Sequence, residues 1–185
     1  MRQRTNNRAG GLLISLRRFI RQTKGAVAIE FAMIFPIMIT IYFGVVEMSQ
    51  GLAASRKVTM LTSTVGDIVA QFGATGITTA DLVGIYDAAD EIMRPFPTDG
   101  LGQLRINVYS VTTVAANNWS YSPDGECVGG QPTVPANLLA SGGSVIIAHV
   151  CYVHNSVLHR FFTSDPTFTD TFYMRPRGVS FIVGP

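Results

Sequence analysis

Residues 26–46 read AVAIEFAMIFPIMITIYFGVV, 21 positions with a single charge, Glu30. As an α-helix this run is about 31 Å long, enough to cross the hydrocarbon core of a bilayer. Its flanks set the direction of crossing. Residues 1–24 carry seven basic side chains (Arg2, Arg4, Arg8, Arg17, Arg18, Arg21 and Lys24) and no acid, whereas beyond the run the nearest bases are Arg56 and Lys57. Basic excess stays on the cytoplasmic side. The N-terminus is therefore expected inside and the rest of the chain outside. Residues 25–185 hold the other seven bases and all twelve acids, a formal charge of −5. A nucleic-acid binder keeps its basic charge on the folded part, so this pattern points to a membrane and away from nucleic acid.

The basic leader has no core-forming pattern, though Leu16, Phe19 and Ile20 among its arginines would let its end lie on the inner membrane face as a short helix. After the apolar run no breaker intervenes until residues 73–76. Leu52, Val58, Leu61, Val65, Ile68, Val69 and Phe72 recur at roughly helical spacing, which predicts one helix from about Ala26 to Gln71. Its first half would lie in lipid and its second half against the outer domain. Thr78 followed by Asp81 resembles a capping box. It opens a second helix whose apolar face is Leu82, Ile85, Tyr86, Ala89, Ile92 and Met93, and Pro95 stops it. Asp87, Asp90 and Glu91 are read as its solvated side.

From Leu101 the period falls to two. Leu104, Ile106, Val108, Ser110 and Thr112 alternate with Arg105, Asn107, Tyr109, Val111 and Thr113, as in a strand. Residues 117–122 and 123–135 are expected to be loops. Residues 144–153 (SVIIAHVCYV) form the strongest strand, with further strands expected at 171–174 and 179–183. The fold class is α+β, pilin-like: a long N-terminal transmembrane helix, then an exported domain with a second helix and a small antiparallel sheet. The domain plan is residues 1–25 as leader, 26–47 as the span, and 48–185 as the exported domain.

Cys127 and Cys151 are the only cysteines, 24 residues apart in the exported part. In an oxidising compartment they are expected to pair, a closure worth about 3.5 kcal/mol in the chain-entropy account. The alternative is two buried thiols that do not meet. Without further donors they do not make a metal site.

Two positions in the span need a reason. A mid-membrane carboxylate costs about 2.5–3.5 kcal/mol on insertion scales, and no cation on its own helix reaches Glu30. Pro36 interrupts the helix ladder. A cut between Gly25 and Ala26 would place a new α-ammonium one helical turn before Glu30, a partner for it in its own helix or in a neighbour. The plainer alternatives are that Glu30 snorkels to the headgroups, that Pro36 only kinks the span, and that Gly25 is incidental. Ser49, Gly51 and Ala53 offer ordinary signal peptidase a site, but Glu30 and Pro36 spoil the apolar core that such a signal needs.

Gly25-Ala-Val-Ala-Ile-Glu30-Phe31-Ala32 followed by Pro36 resembles the signature of the TadE-like family, the small pseudopilins of the tight-adherence (Tad) pilus and secretion system. The likeness continues through GVVEMSQGLAASRKVTMLTSTVGDIVAQ. The Trp119-Ser120 pair, the SVIIAHVCYV strand and the segment from Tyr173 to Arg177 are similar to exported domains of such proteins. The resemblance implies a bacterial inner-membrane protein with a periplasmic domain, a role in pilus assembly, and removal of the leader after Gly25 by a prepilin peptidase. Its partners would be other pilins, pseudopilins and Tad inner-membrane components, with Glu30, Phe31 and Pro36 serving assembly. The competing function is an uncleaved single-pass anchor whose outer domain binds an envelope protein or surface ligand.

Nothing in the chain points to catalysis, a cofactor or a small-molecule substrate. No nucleophile elbow, P-loop, zinc-protease or dinucleotide motif occurs. His149, His154 and His159 are spaced by five, on neither one strand face nor one helix face, and are expected to be satisfied or exposed. Glu47, near the outer interface, is expected to tolerate neutralisation.

Overall fold

The computed structural model describes residues 25–98, 103–115, 118–135, 137–139, 143–155 and 165–185. The leader, with its suggested short helix, and His159 lie outside them. The chain divides into two compact units at the junction of Val46 and Glu47. Helix α1 (Ala26–Ala70) is 45 residues long and contains Pro36. Helix α2 (Thr79–Met93) and strands β1 (Leu104–Thr112), β2 (Trp119–Tyr121), β3 (Ser144–Val153) and β4 (Thr167–Met174) follow. The sheet is antiparallel throughout, in the order β2-β1-β3-β4.

In the first unit every residue from Ala26 to Val45 is exposed. Among the described residues, α1 is the one helix long and apolar enough to cross a membrane. An apolar surface bare on all sides belongs in lipid rather than in water, so α1 is a candidate membrane anchor.

In the second unit the remainder of α1 buries Ala54, Val58, Leu61, Val65 and Val69, a stripe at helical spacing. Leu52, expected on that stripe, is 57% exposed instead, and Ala54 takes its place one position-pair further along the turn. Gly66 allows the helix to close on the sheet. A Cβ there would lie 3.1 Å from Phe172 and 3.5 Å from Ala148. Helix α2 begins in a true capping box. Thr78 Oγ1 accepts from the Asp81 N–H at 3.2 Å, and the Asp81 carboxylate accepts from the Thr78 N–H at 2.9 Å. The Thr78 hydroxyl, which donates to the same carboxylate at 2.6 Å, and then the Thr78 N–H hold the Asp81 carboxyl below the ordinary value. Leu82, Ile85, Ala89 and Met93 face the core, and Asp87, Asp90 and Glu91 face out.

β3 is buried almost end to end, because both of its faces are covered. Ile146, Ala148, Val150 and Tyr152 join the core under the two helices. On the opposite face Val145 and Ile147 pack with Tyr109, Val134, Leu138 and Leu139, so the connection from β2 to β3 forms a third layer. Double coverage also explains why Asn107 and Tyr109 are buried in β1 although they occupy the alternate positions.

Three elements differ from the sequence reading. Trp119 to Tyr121, expected in a loop, form strand β2, paired Val108↔Tyr121 through Ser110↔Trp119. β4 starts four residues earlier than expected, at Thr167 opposite Val153. Residues 179–183 make no strand. Their carbonyls are dispersed: Ser180 accepts from the Ser144 N–H at 2.9 Å, Val183 from the Ile77 N–H at 3.0 Å, and Ile182 from the Trp119 indole at 2.9 Å. The C-terminal segment is a strap held from three sides. Gly184 passes so close to Trp119 that a Cβ would lie 2.4 Å from the ring.

Candidate functional site

Gly25 immediately precedes α1, and Ala26 opens it. Glu30 lies one turn on, exposed, and takes part in none of the ion pairs among the described residues. Phe31 stacks on Phe35 with ring centroids 5.6 Å apart. Pro36 removes the N–H that would have bonded the Ala32 carbonyl, and its own carbonyl accepts from Thr40 Oγ1 at 2.8 Å. One turn of α1 thus contains a freed carbonyl, a paired aromatic face and an unpaired carboxylate. Such polar groups at membrane depth have partners in a bundle or a cavity. The structure places Ala26, Glu30, Phe31 and Pro36 along about three turns of a single helix.

In the second unit Cys127 and Cys151 are joined by a disulfide with Cα atoms 5.8 Å apart. Asn107, fully buried, reinforces it from β1. Its Nδ2 donates to the Gly125 carbonyl at 2.9 Å, and its Oδ1 accepts from the Cys127 N–H at 2.9 Å. Arg105 donates to the Glu126 carbonyl at 3.0 Å. The connection from β2 to β3 is therefore tied to β1 through three consecutive residues of its backbone, Gly125 to Cys127. Nothing in the sequence around Asn107 marks it, since an amide at an alternate strand position reads as an outward residue. On the helix side, the Tyr86 hydroxyl donates to the Ile106 carbonyl, and its ring meets Tyr121 edge-on at 5.5 Å. Burial raises the Tyr86 phenol far above its ordinary range.

Of the two histidines among the described residues, His149 and His154, neither is exposed and neither is fully satisfied there. His149 is buried, with Nδ1 2.8 Å from Thr171 Oγ1 and Nε2 without a partner among the described residues. Burial lowers its pKa from the ordinary 6.5, against the opposing pull of Asp170. The sign follows: above 6.5 its contribution is fully present, and as pH falls below 6.5 the unfolded chain takes a proton that the folded chain resists. The urea midpoint of the wild type, read by the fluorescence of the single Trp119, should fall between pH 7 and pH 5 more steeply than that of His149→Gln. Parallel slopes would show that His149 does not carry this linkage. No group of three or more His, Cys, Asp or Glu among the described residues is placed to hold a metal ion.

Residues 25–65 match the family model of TadE-like proteins. The matched TadE-like segment begins at Gly25, contains Glu30, Phe31 and Pro36, and ends within the buried stripe of α1 at Val65. The resemblance read from Gly25 onward is borne out over this segment. The further likenesses at Trp119, in β3 and at residues 173–177 lie outside it. No curated protein and no solved structure gives a significant match to the chain.

Proposed function

We propose that this chain is a minor pseudopilin-like component of the Tad pilus assembly machinery. It sits in the bacterial inner membrane with residues 1–25 in the cytoplasm and the domain from residue 48 in the periplasm, and a prepilin peptidase removes the leader after Gly25. The observation that carries the reading is the TadE-like segment itself. The family match starts at the proposed cleavage junction and includes Glu30, the one acidic residue of the apolar, fully exposed segment 26–45. Seven basic residues before the span and two just beyond it support the orientation. Once the leader is gone, the Ala26 ammonium and the Glu30 carboxylate are complementary charges in a medium that screens them weakly. The partners on this reading are the peptidase, other pilins and pseudopilins, and Tad inner-membrane components. No step of it requires catalysis or a cofactor from this chain.

N-terminal sequencing of membrane-extracted protein, made together with its peptidase, is expected to begin at Ala26. Gly25→Leu should block the cut, because a protease must bring its carboxylates close to the scissile backbone. A wild-type N-terminus at Met1 under those conditions overturns the pseudopilin reading and leaves the uncleaved anchor.

A further inference from the structure

Glu47 is the first α1 residue of the second unit, only 16% exposed at its side chain, and His154 lies just beyond β3 with its side chain 5% exposed. Glu47 Oε1 stands 3.6 Å from His154 Nε2, outside hydrogen-bond reach. Among the described residues no lysine or arginine pairs with Glu47, and neither ring nitrogen of His154 has a hydrogen-bond partner. Lys57 is committed elsewhere, to the Ile92 carbonyl at 2.7 Å. Around the imidazole stand Phe96 at 6.0 Å, Phe168 at 6.1 Å and Tyr152 at 6.3 Å. Polar atoms withdrawn from water and left unmet are costly, so the group asks for a partner from outside the chain.

His154 also lines a cleft of about 380 Å³, together with Ser49 and Gln50 of α1, Phe96, Tyr152 and Asn155. That is the size and make-up of a small-ligand site, apolar walls with a few polar groups. No lysine or arginine lines it, and this decides the charge of the occupant. A group led by phosphate or carboxylate would meet no cation and would stand beside Glu47. A group led by a primary ammonium meets a carboxylate, an imidazole lone pair and aromatic faces. Its three N–H groups can serve Glu47 Oε1 and His154 Nε2 together, because acceptors 3.6 Å apart are spanned by two bonds of about 2.7–2.9 Å. The place of the cleft along the chain narrows the source. Ser49 follows Val45, the last exposed residue of the apolar run, by four residues of the same helix, a rise of about 6 Å. With that run in lipid, the α1 wall of the cleft stands at the depth of the headgroups.

We propose that this cleft binds the headgroup of an ethanolamine phospholipid from the outer leaflet. The ammonium docks on Glu47 and His154, and the phosphate two carbons away is received by the Ser49 hydroxyl and the Gln50 and Asn155 amides, neutral donors that line the same cleft. A bound lipid then seats the root of α1 at the membrane surface. A lysine from a protein partner would offer the same ammonium, but it brings no phosphate for those donors. The inference uses α1 as a membrane anchor and is independent of leader processing and of the pilus reading.

Native mass spectrometry of the full chain, from micelles doped equally with phosphatidylethanolamine, phosphatidylcholine and phosphatidylglycerol of identical acyl chains, reads which lipid is retained. Phosphatidylethanolamine should be held about tenfold over both others, the scale of one hydrogen bond to a charged group. Choline carries the cation without an N–H, and glycerol carries no cation. Glu47→Gln, which keeps the shape of the side chain, should abolish the preference. Equal retention of the three lipids, an excess of phosphatidylglycerol, or a preference that survives Glu47→Gln overturns the proposal. So does displacement of the lipid by an equimolar lysine peptide, which would name a protein partner as the occupant. A check without any variant uses vesicles containing carbon-labelled ethanolamine headgroups. Solid-state NMR contacts between those carbons and the His154 ring support the site, and their absence sinks it. Failure of the chain to float with vesicles at all would remove the anchor, and the proposal with it.

Discussion

A strain carrying Glu30→Gln in place of the wild-type chain is expected to make the protein at normal level, insert it in the normal orientation, cut it after Gly25, and lose its surface pili. Each part has its own physical ground. Orientation depends on basic residues before and after the span, and the change touches none of them. Insertion should improve slightly, because a carboxylate disfavoured by about 2.5–3.5 kcal/mol in mid-membrane has been removed. Processing depends on access to the backbone at Gly25, five residues away. On the pseudopilin proposal, assembly is the step that uses the charge: Glu30 is exposed on α1 and takes part in none of the ion pairs among the described residues, so its partner is expected on another subunit. An interaction that outweighs the insertion cost should change pilus number by more than about tenfold when lost. Glu30→Ala should behave alike. Counting surface pili and measuring co-purification with pilus components at equal protein level reads the effect. Unchanged piliation would return Glu30 to the snorkelling account. Glu47→Gln is no longer a neutral control for this experiment, because Glu47 is partly buried against His154.

The parts of this chain that were legible in advance are those whose signal is local. The apolar run and the stripe from Val58 to Val69 predicted α1 almost to its last residue, Thr78 and Asp81 predicted the start of α2, and SVIIAHVCYV predicted β3 at both ends. Each rests on periodicity or on a contact between residues three or four apart. β2 was missed because three residues in a turn-rich tract become a strand only through pairing with Val108, Tyr109 and Ser110. The strap was misread for the reverse reason. Val179 to Val183 has strand composition, but its carbonyls are claimed by Ser144, Trp119 and Ile77, three partners that do not lie on one edge. Leu52 carries a buried residue's side chain on an exposed face, next to a segment bare along its whole length. At the site, Gly25, Glu30 and Pro36 could be read from the chain because their meaning depends on depth and order along one helix. The pairing of Glu47 with His154, and of Asn107 with the backbone around Cys127, spans contacts that no window of sequence contains.

The largest stability effect in the second unit should come from that last contact and the disulfide beside it. Removing the bridge by Cys127→Ala with Cys151→Ala is expected to lower stability by about 3.5 kcal/mol, from the entropy the unfolded chain regains. Asn107→Ala acts on the folded state instead. It takes one partner from the Cys127 N–H and one from the Gly125 carbonyl, at a position with no solvent exposure. Cys127 is buried and its N–H is left unmet at a cost of about 1–3 kcal/mol, whereas Gly125 is exposed and water can take over its carbonyl, so the loss should fall somewhat below that of the bridge. Both devices act on Cys127, so their effects should not add. With the bridge gone, the segment around Cys127 can move off β1 and rehydrate the groups that Asn107 held, and the triple variant should lose clearly less than the two losses summed. Urea unfolding of the chain in micelles, followed by Trp119 fluorescence, gives all four corners of the cycle. In every variant the span should still insert, because its apolar run depends on no residue of the sheet. Strict additivity would show that the amide and the disulfide hold separate parts of the connection. An Asn107→Ala midpoint equal to that of the wild type would show that water replaces the amide at no cost, and the bridge would then stand alone.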